Sequence, residues 1–161
     1  HADGGVKVLA AGGQEAHLRM ERDGRGIFYR GENLKGDPLG FRNAFGDRFE
    51  FHSADDRARR SSILDVRCPD AVVQISHLMD AERSPDILVV ASKGYELWWS
   101  WHHGRHGGYT RQESIVPLMI IGPGVVPRVV PCARSIDIAP TILELFGKSD
   151  PSLDGIPIPL F

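Results

Sequence analysis

Apolar and polar positions along this chain fall into two regimes that meet near residue 52. From Ala2 to Phe51, frequent glycines separate short segments of alternating character, namely Val6 to Ala10, His17 to Glu21 and Gly26 to Arg30. A period of two puts one strand face in a core and the other in water, and Asp23-Gly24 is a turn signal between two such strands. Residues 1–52 therefore predict a small antiparallel lobe or insertion.

From Ser53 onward the predicted order is helix, strand, strand, strand, helix, an alternation that argues for part of an α/β sheet with helices on its faces over residues 53–161. Asp55 to Val66 has amphipathic helical spacing, and Ala71 to Ser76 and Ile87 to Ala91 are short buried runs. Val116 to Ile121 reads as a buried strand with Pro117 near its start, ended by Gly122, Pro123 and Gly124. In the last helix Asp137 is placed to cap, Pro140 fits the first turn, Ile142, Leu143 and Phe146 supply an apolar face, and Gly147 stops it. The expected core is Val72, Val73, Ile75, Ile87, Leu88, Val89, Val90, Leu118, Ile120, Ile121, Ile138, Ile142, Leu143 and Leu145. The tail from Asp150, with Ile156, Ile158, Leu160 and Phe161, is expected to pack back as an extended edge segment.

Composition narrows the function classes. A net charge of -2 and a pI near 6.4 provide no basic field for nucleic-acid phosphates. No apolar run reaches about 18 residues and the start is not signal-like, so no membrane segment is expected. Two cysteines, Cys68 and Cys132, are too few and too far apart for a disulfide scaffold or a thiolate metal site, and are expected to be half-buried thiols.

The candidate chemistry gathers around His106. Arg105 precedes it and Gly107 and Gly108 follow, so the backbone there can turn sharply and bring an imidazole close to a ligand. Trp98, Trp99, Trp101, His102 and His103 lie just upstream. Trp98, Trp101 and His103 are the candidate substrate-binding residues, with indoles stacking on an apolar or aromatic leaving group. The plainer alternative packs two indoles in the core and leaves His102 and His103 in water. A self-contained zinc site of His102, His103 and His106 is opposed by Gly104, which breaks any single rigid helix face. His17 and His77 are expected to be structural, Arg57, Arg59 and Arg60 to form a solvated helix face, and Asp137 and Thr141 to be explained by helix capping.

One resemblance organises these residues. His106 and Gly107, then Val116, Pro117 and Leu118, then Gly122, Pro123 and Gly124, then Asp137, Ile138, Ala139, Pro140 and Thr141, together resemble the C-terminal end of the alkaline phosphatase superfamily. Within it the block looks most like the type I phosphodiesterases, the nucleotide pyrophosphatases and one branch of bacterial phosphatases. Asp86 to Val90 and Lys93, Gly94, Tyr95 resemble the strand and turn that precede this block, and Gly155 resembles a glycine before the last short strand. The likeness covers roughly the second half of the chain and rests on the order and spacing of its pieces.

The resemblance implies a partial alkaline phosphatase-like sheet flanked by helices, and two divalent metals, usually zinc, flanking a phosphate or sulfate ester. His106 aligns with a ligand of one metal. The family's nucleophile and Asp-rich metal motifs belong to an N-terminal half with no counterpart here; His1, Ala2, Asp3, Gly4 is the closest string to Asp-His-Gly and has the wrong order. The expectation is therefore a C-terminal part of a metal-dependent phosphoric-ester hydrolase, with no catalytic residue of its own and inactive alone. Its partners would be the missing N-terminal half and a small phosphate or sulfate ester, and zinc or another divalent metal would bind only in the full-length protein. The alternative is a non-catalytic binding or assembly domain that keeps the scaffold.

Overall fold

Strands form where side chains alternate in the first third of the chain. The computed structural model describes residues 5–24, 26–53, 56–97 and 107–160, with residues 56–59 described by backbone alone. The elements are β1 (Gly5–Ala10), β2 (Gln14–Asp23), β3 (Gly26–Lys35), α1 (Arg42–Phe45), β4 (Arg48–His52), α2 (Asp56–Ile63), α3 (Ala71–Asp80), α4 (Arg111–Ser114) and α5 (Ile138–Leu145). The chain combines helices with a four-stranded antiparallel sheet and divides into two compact units, His1–Val116 and Pro117–Phe161.

In the first unit the strands follow one another in the order β1-β2-β3-β4. The register places Lys7 opposite His17, His17 opposite Glu32, and Glu32 opposite Arg48, so one face is a row of polar side chains. Arg48 and Glu32 pair at 2.6 Å, and Arg30 and Glu50 at 2.7 Å, on that face. The other face carries Leu18, Ile27, Tyr29, Phe49 and Phe51, all buried. Gly31 sits among them because a Cβ there would collide with the Phe49 ring.

Helix α3 covers this apolar face with Ala71, Val72 and Ile75. The sheet's core is thus completed beyond residue 52, where the sequence changes character. Val72, Val73 and Ile75 are buried as expected, but Ala71 to Ser76 is helical rather than a strand. Two β-branched residues in a row suggest extended backbone, yet the buried positions 71, 72, 75 and 76 follow the 3.6-residue period over a ten-residue segment. Tertiary packing of that stripe overrides local propensity.

The loop between β3 and α1 is tied down by one carboxylate. Asp37 Oδ1 accepts from the backbone N–H of Gly40 and Phe41, and Oδ2 from that of Arg42, at 2.9 to 3.1 Å. Leu39 and Phe41 are thereby directed into the core. Arg67 donates to the carbonyls of Asp37 and Pro38 from the segment before α3.

Two predicted strands, Ile87 to Ala91 and Val116 to Ile121, are not strands here. Both segments lack regular secondary structure and make no ladder hydrogen bonds among the described residues. A strand exists only when a neighbour accepts and donates along its backbone, and the four-stranded sheet pairs within itself. As a result Ile87, Leu88, Val89, Val90, Leu118 and Ile121 are exposed rather than core.

In the second unit α5 forms as the sequence predicts, and Gly147 ends it with a positive φ of 65°. The N–H groups of Gly147 and Lys148 bond the carbonyls of Glu144 and Leu143 at 2.9 Å each, the reciprocal pattern that closes a helix through a left-handed glycine. The apolar positions Ile138, Ile142, Leu145 and Phe146 remain exposed. The tail packs back: Ile158 and Leu160 are buried, and the Val126 N–H donates to the Leu160 carbonyl at 2.9 Å.

Candidate functional site

His106, together with Trp98, Trp101 and His103, lies outside the described residues, as do Trp99 and His102. What the structure describes is the two stems of that segment. The upstream stem is a turn in which the Tyr95 N–H donates to the Ser92 carbonyl at 2.9 Å, and Gly94 takes a φ of +86° that suits glycine.

The downstream stem is held firmly. Gly107 has a φ of +106°, in keeping with a glycine chosen for its backbone freedom. Tyr109 packs on the sheet's core, where burial pushes its phenol pKa up. Thr110 precedes α4, and its N–H donates to the Glu113 carboxylate at 3.3 Å. Arg111 donates from its backbone N–H to the Arg67 carbonyl at 3.1 Å, and from its guanidinium to the Leu64 carbonyl and, at 3.2 Å, to Asp65. The stem after residue 106 is thus moored to the segment joining α2 and α3.

Among the described residues no group of three or more His, Cys, Asp or Glu side chains converges as a metal site. Of the other candidates, His17 is exposed on the polar face near Glu15, at 3.8 Å, and His77 bonds the Tyr29 hydroxyl at 2.6 Å. The side chains of Arg57 and Arg59 lie outside what is described, whereas Arg60 is buried rather than solvated, at 5 % exposure. Cys68 and Cys132 are half-buried and not joined in a disulfide, and burial pushes the Cys68 thiol pKa up against the opposing influence of the Arg67 guanidinium.

Asp137 and Thr141 have catalytic side-chain types but both are committed to the scaffold. Asp137, 1 % exposed, accepts from the N–H of Arg134 and of Ile156, each at 2.8 Å. Its carboxylate therefore caps the short turn Ser135–Asp137 and grips the tail; it makes no side-chain cap to α5, contrary to expectation. Thr141 Oγ1 donates to the Asp137 carbonyl and accepts from the Ile158 N–H at 2.8 Å. Gly155 fits because any Cβ would collide with the Ile136 carbonyl. This tail clasp had no local signal in the sequence, since its donors lie 17 and 19 residues from their acceptors.

Among the described residues no helix is long and apolar enough to cross a membrane. Comparison of the chain with protein-family models, curated proteins and solved structures gives no match.

Proposed function

We propose that this chain is the C-terminal part of a metal-dependent phosphoric-ester hydrolase of the alkaline phosphatase type. His106 would be one ligand of a zinc or other divalent ion, and Trp98, Trp101 and His103 would border the ester. The remaining ligands and the nucleophile would come from a polypeptide segment not contained in this sequence. The supporting observation is the division of labour in the motif block. Its two residues of catalytic type, Asp137 and Thr141, clasp the tail, so among the described residues the block supplies scaffold, and the chemistry is assigned to His106 by the motif alone.

The test is reconstitution with the polypeptide encoded directly upstream. Zinc-dependent cleavage of an aryl phosphate or phosphodiester is expected in the joined protein, with most of it removed by His106→Ala. Activity retained in that variant would reject His106 as a ligand. A joined protein with neither bound metal nor hydrolysis would favour a non-catalytic assembly role instead.

A further inference from the structure

The sheet of the first unit ends at β1 on one side and at β4 on the other. β4 guards its margin with Arg48 and Glu50 on the water face. β1, with the sequence GVKVLA, has no proline and no bulge, and its Leu9 is 68 % exposed. Among the described residues the peptide groups of β1 make no hydrogen bond beyond the ladder with β2. An open, regular and apolar edge of this kind is a template for a further strand. Lys7, the one charge on β1, leans onto β2, where it meets Glu15 at 2.8 Å, and so leaves the edge clear.

β1 complements a second copy of itself. In an antiparallel pair, residues directly opposite share a face, and the outward-pointing backbone groups belong to alternate residues. Both conditions place a two-fold axis on a residue, never between two. Only Lys7 and Val8 as centres keep most of the strand paired. Centring on Lys7 would set two lysines opposite each other at about 5 Å. Centring on Val8 removes that clash: Val8 meets Val8 and Val6 meets Ala10 on the core side, while Lys7 meets Leu9 on the water side and lays its methylenes over it. Glu15, across from Leu9 on β2, then stands next in the row for the Lys7 of the other copy. Charges of opposite sign therefore face each other over the junction.

The helices leave room for this pairing. α3 lies over β2, with β1 and β3 to either side. In a joined sheet β2 and its copy would be three strand spacings apart, about 14 Å, whereas a helix with its side chains is about 10–12 Å across. The two α3 helices clear one another, and Val6 and Val8, half-buried at the margin of the core, gain cover from the second copy.

We infer that β1 is a self-association strand, through which two copies of this chain join edge to edge, antiparallel about Val8, into one continuous sheet. A strand of this length, about 20 Å, buries less than the roughly 800 Å2 that each partner contributes to a stable interface. The dimer is accordingly weak and forms with rising concentration. The inference concerns the first unit alone and does not rest on the proposed function.

Sedimentation equilibrium of the full chain between about 5 µM and about 500 µM tests it, together with cysteine cross-linking at the axis. A monomer–dimer equilibrium within that range is expected. Leu9→Lys, at an exposed position, sets lysines opposite each other at two places in the junction and should weaken the dimer about tenfold. Under mild oxidation Val8→Cys should become a disulfide-linked dimer, because the two side chains meet at the axis. The parent chain, whose Cys68 and Cys132 are half-buried, should stay unlinked. Gly5→Cys mixed with Leu9→Cys, which would link only if the axis lay on Lys7, should also stay unlinked. A chain monomeric throughout, a dimer indifferent to Leu9→Lys, or linkage of the Gly5→Cys and Leu9→Cys mixture would overturn the inference, and the sedimentation arms decide it even where Val8→Cys fails to fold.

Discussion

The Tyr29 hydroxyl lies 2.6 Å from Nε2 of His77, joining β3 to α3 across the buried side of the sheet. The Tyr29 ring also stacks on Phe51 at a centroid distance of 5.0 Å, so its apolar and polar parts serve different neighbours. Tyr29→Phe keeps the stack and removes the hydrogen bond, with an expected loss of about 1 kcal/mol. His77→Ala removes this partner from a buried hydroxyl and should cost more, about 1–3 kcal/mol. Urea midpoints of the two variants check the order; equal, negligible shifts would mean that the pair does not couple helix to sheet.

Gly31 is fixed by the Phe49 ring that lies over it. Gly31→Ala should destabilise the lobe by about 1–3 kcal/mol through overpacking. Gly24→Ala, where no atom lies within 4 Å, should stay within about 0.5 kcal/mol. Combining Gly31→Ala with Phe49→Leu should cost less than the sum of the two changes, and a double-mutant cycle that came out additive would contradict the contact.

The tail clasp gives a third expectation. Asp137→Ala strips two backbone N–H groups of a charged acceptor and should weaken the second unit by about 1.5–3 kcal/mol per bond lost at most. Thr141→Val keeps the shape and removes only the oxygen that receives the Ile158 N–H. Carboxypeptidase digestion should shorten both variants faster than the parent chain. Unchanged digestion of Thr141→Val would show that apolar burial of Ile158 and Leu160 holds the tail without it.

Burial raises the pKa of both the Cys68 thiol and the Tyr109 phenol. In the unfolded chain these groups lose their protons first, so the folded state binds more protons on the alkaline side and stability falls as pH rises from the unfolded toward the folded pKa values. Below the ordinary thiol range the two groups should have no effect on stability. A disulfide-exchange reagent should label Cys68 more slowly than glutathione near pH 8, because less thiolate is present. Faster labelling would mean that the Arg67 guanidinium outweighs burial.

What the sequence reveals of this fold depends on the range of the interactions involved. β1, β2 and β3 are legible because alternation and Asp23-Gly24 are local signals, and the ending of α5 at Gly147 is legible for the same reason. β4 carries an equally local signal, Phe49 and Phe51 between Arg48, Glu50 and His52, though it falls in a stretch dominated by glycine-rich turns. α3 is obscured by Val72 and Val73, whose β-branching competes with a helical stripe that only the sheet above it rewards. The apolar runs at 87–91 and 116–121 announce burial, but a strand is a property of two segments and one sequence segment cannot supply both. For the candidate site, the glycine bend is readable at Gly107, whereas its mooring through Arg111 and the role of Asp137 depend on carbonyls and amides far away in the chain.

The clasp at the C-terminal end also sets a reading frame. Gly155 is fixed against Ile136 and the Ile158 N–H against Thr141, so every second residue beyond, Ile158 and then Leu160, falls inward while Pro159 faces out. Adding or deleting a single residue between 155 and 158 would turn prolines into the space that isoleucine and leucine fill. Drift at this end of the chain should therefore exchange side chains freely at the outward positions and hold the spacing constant.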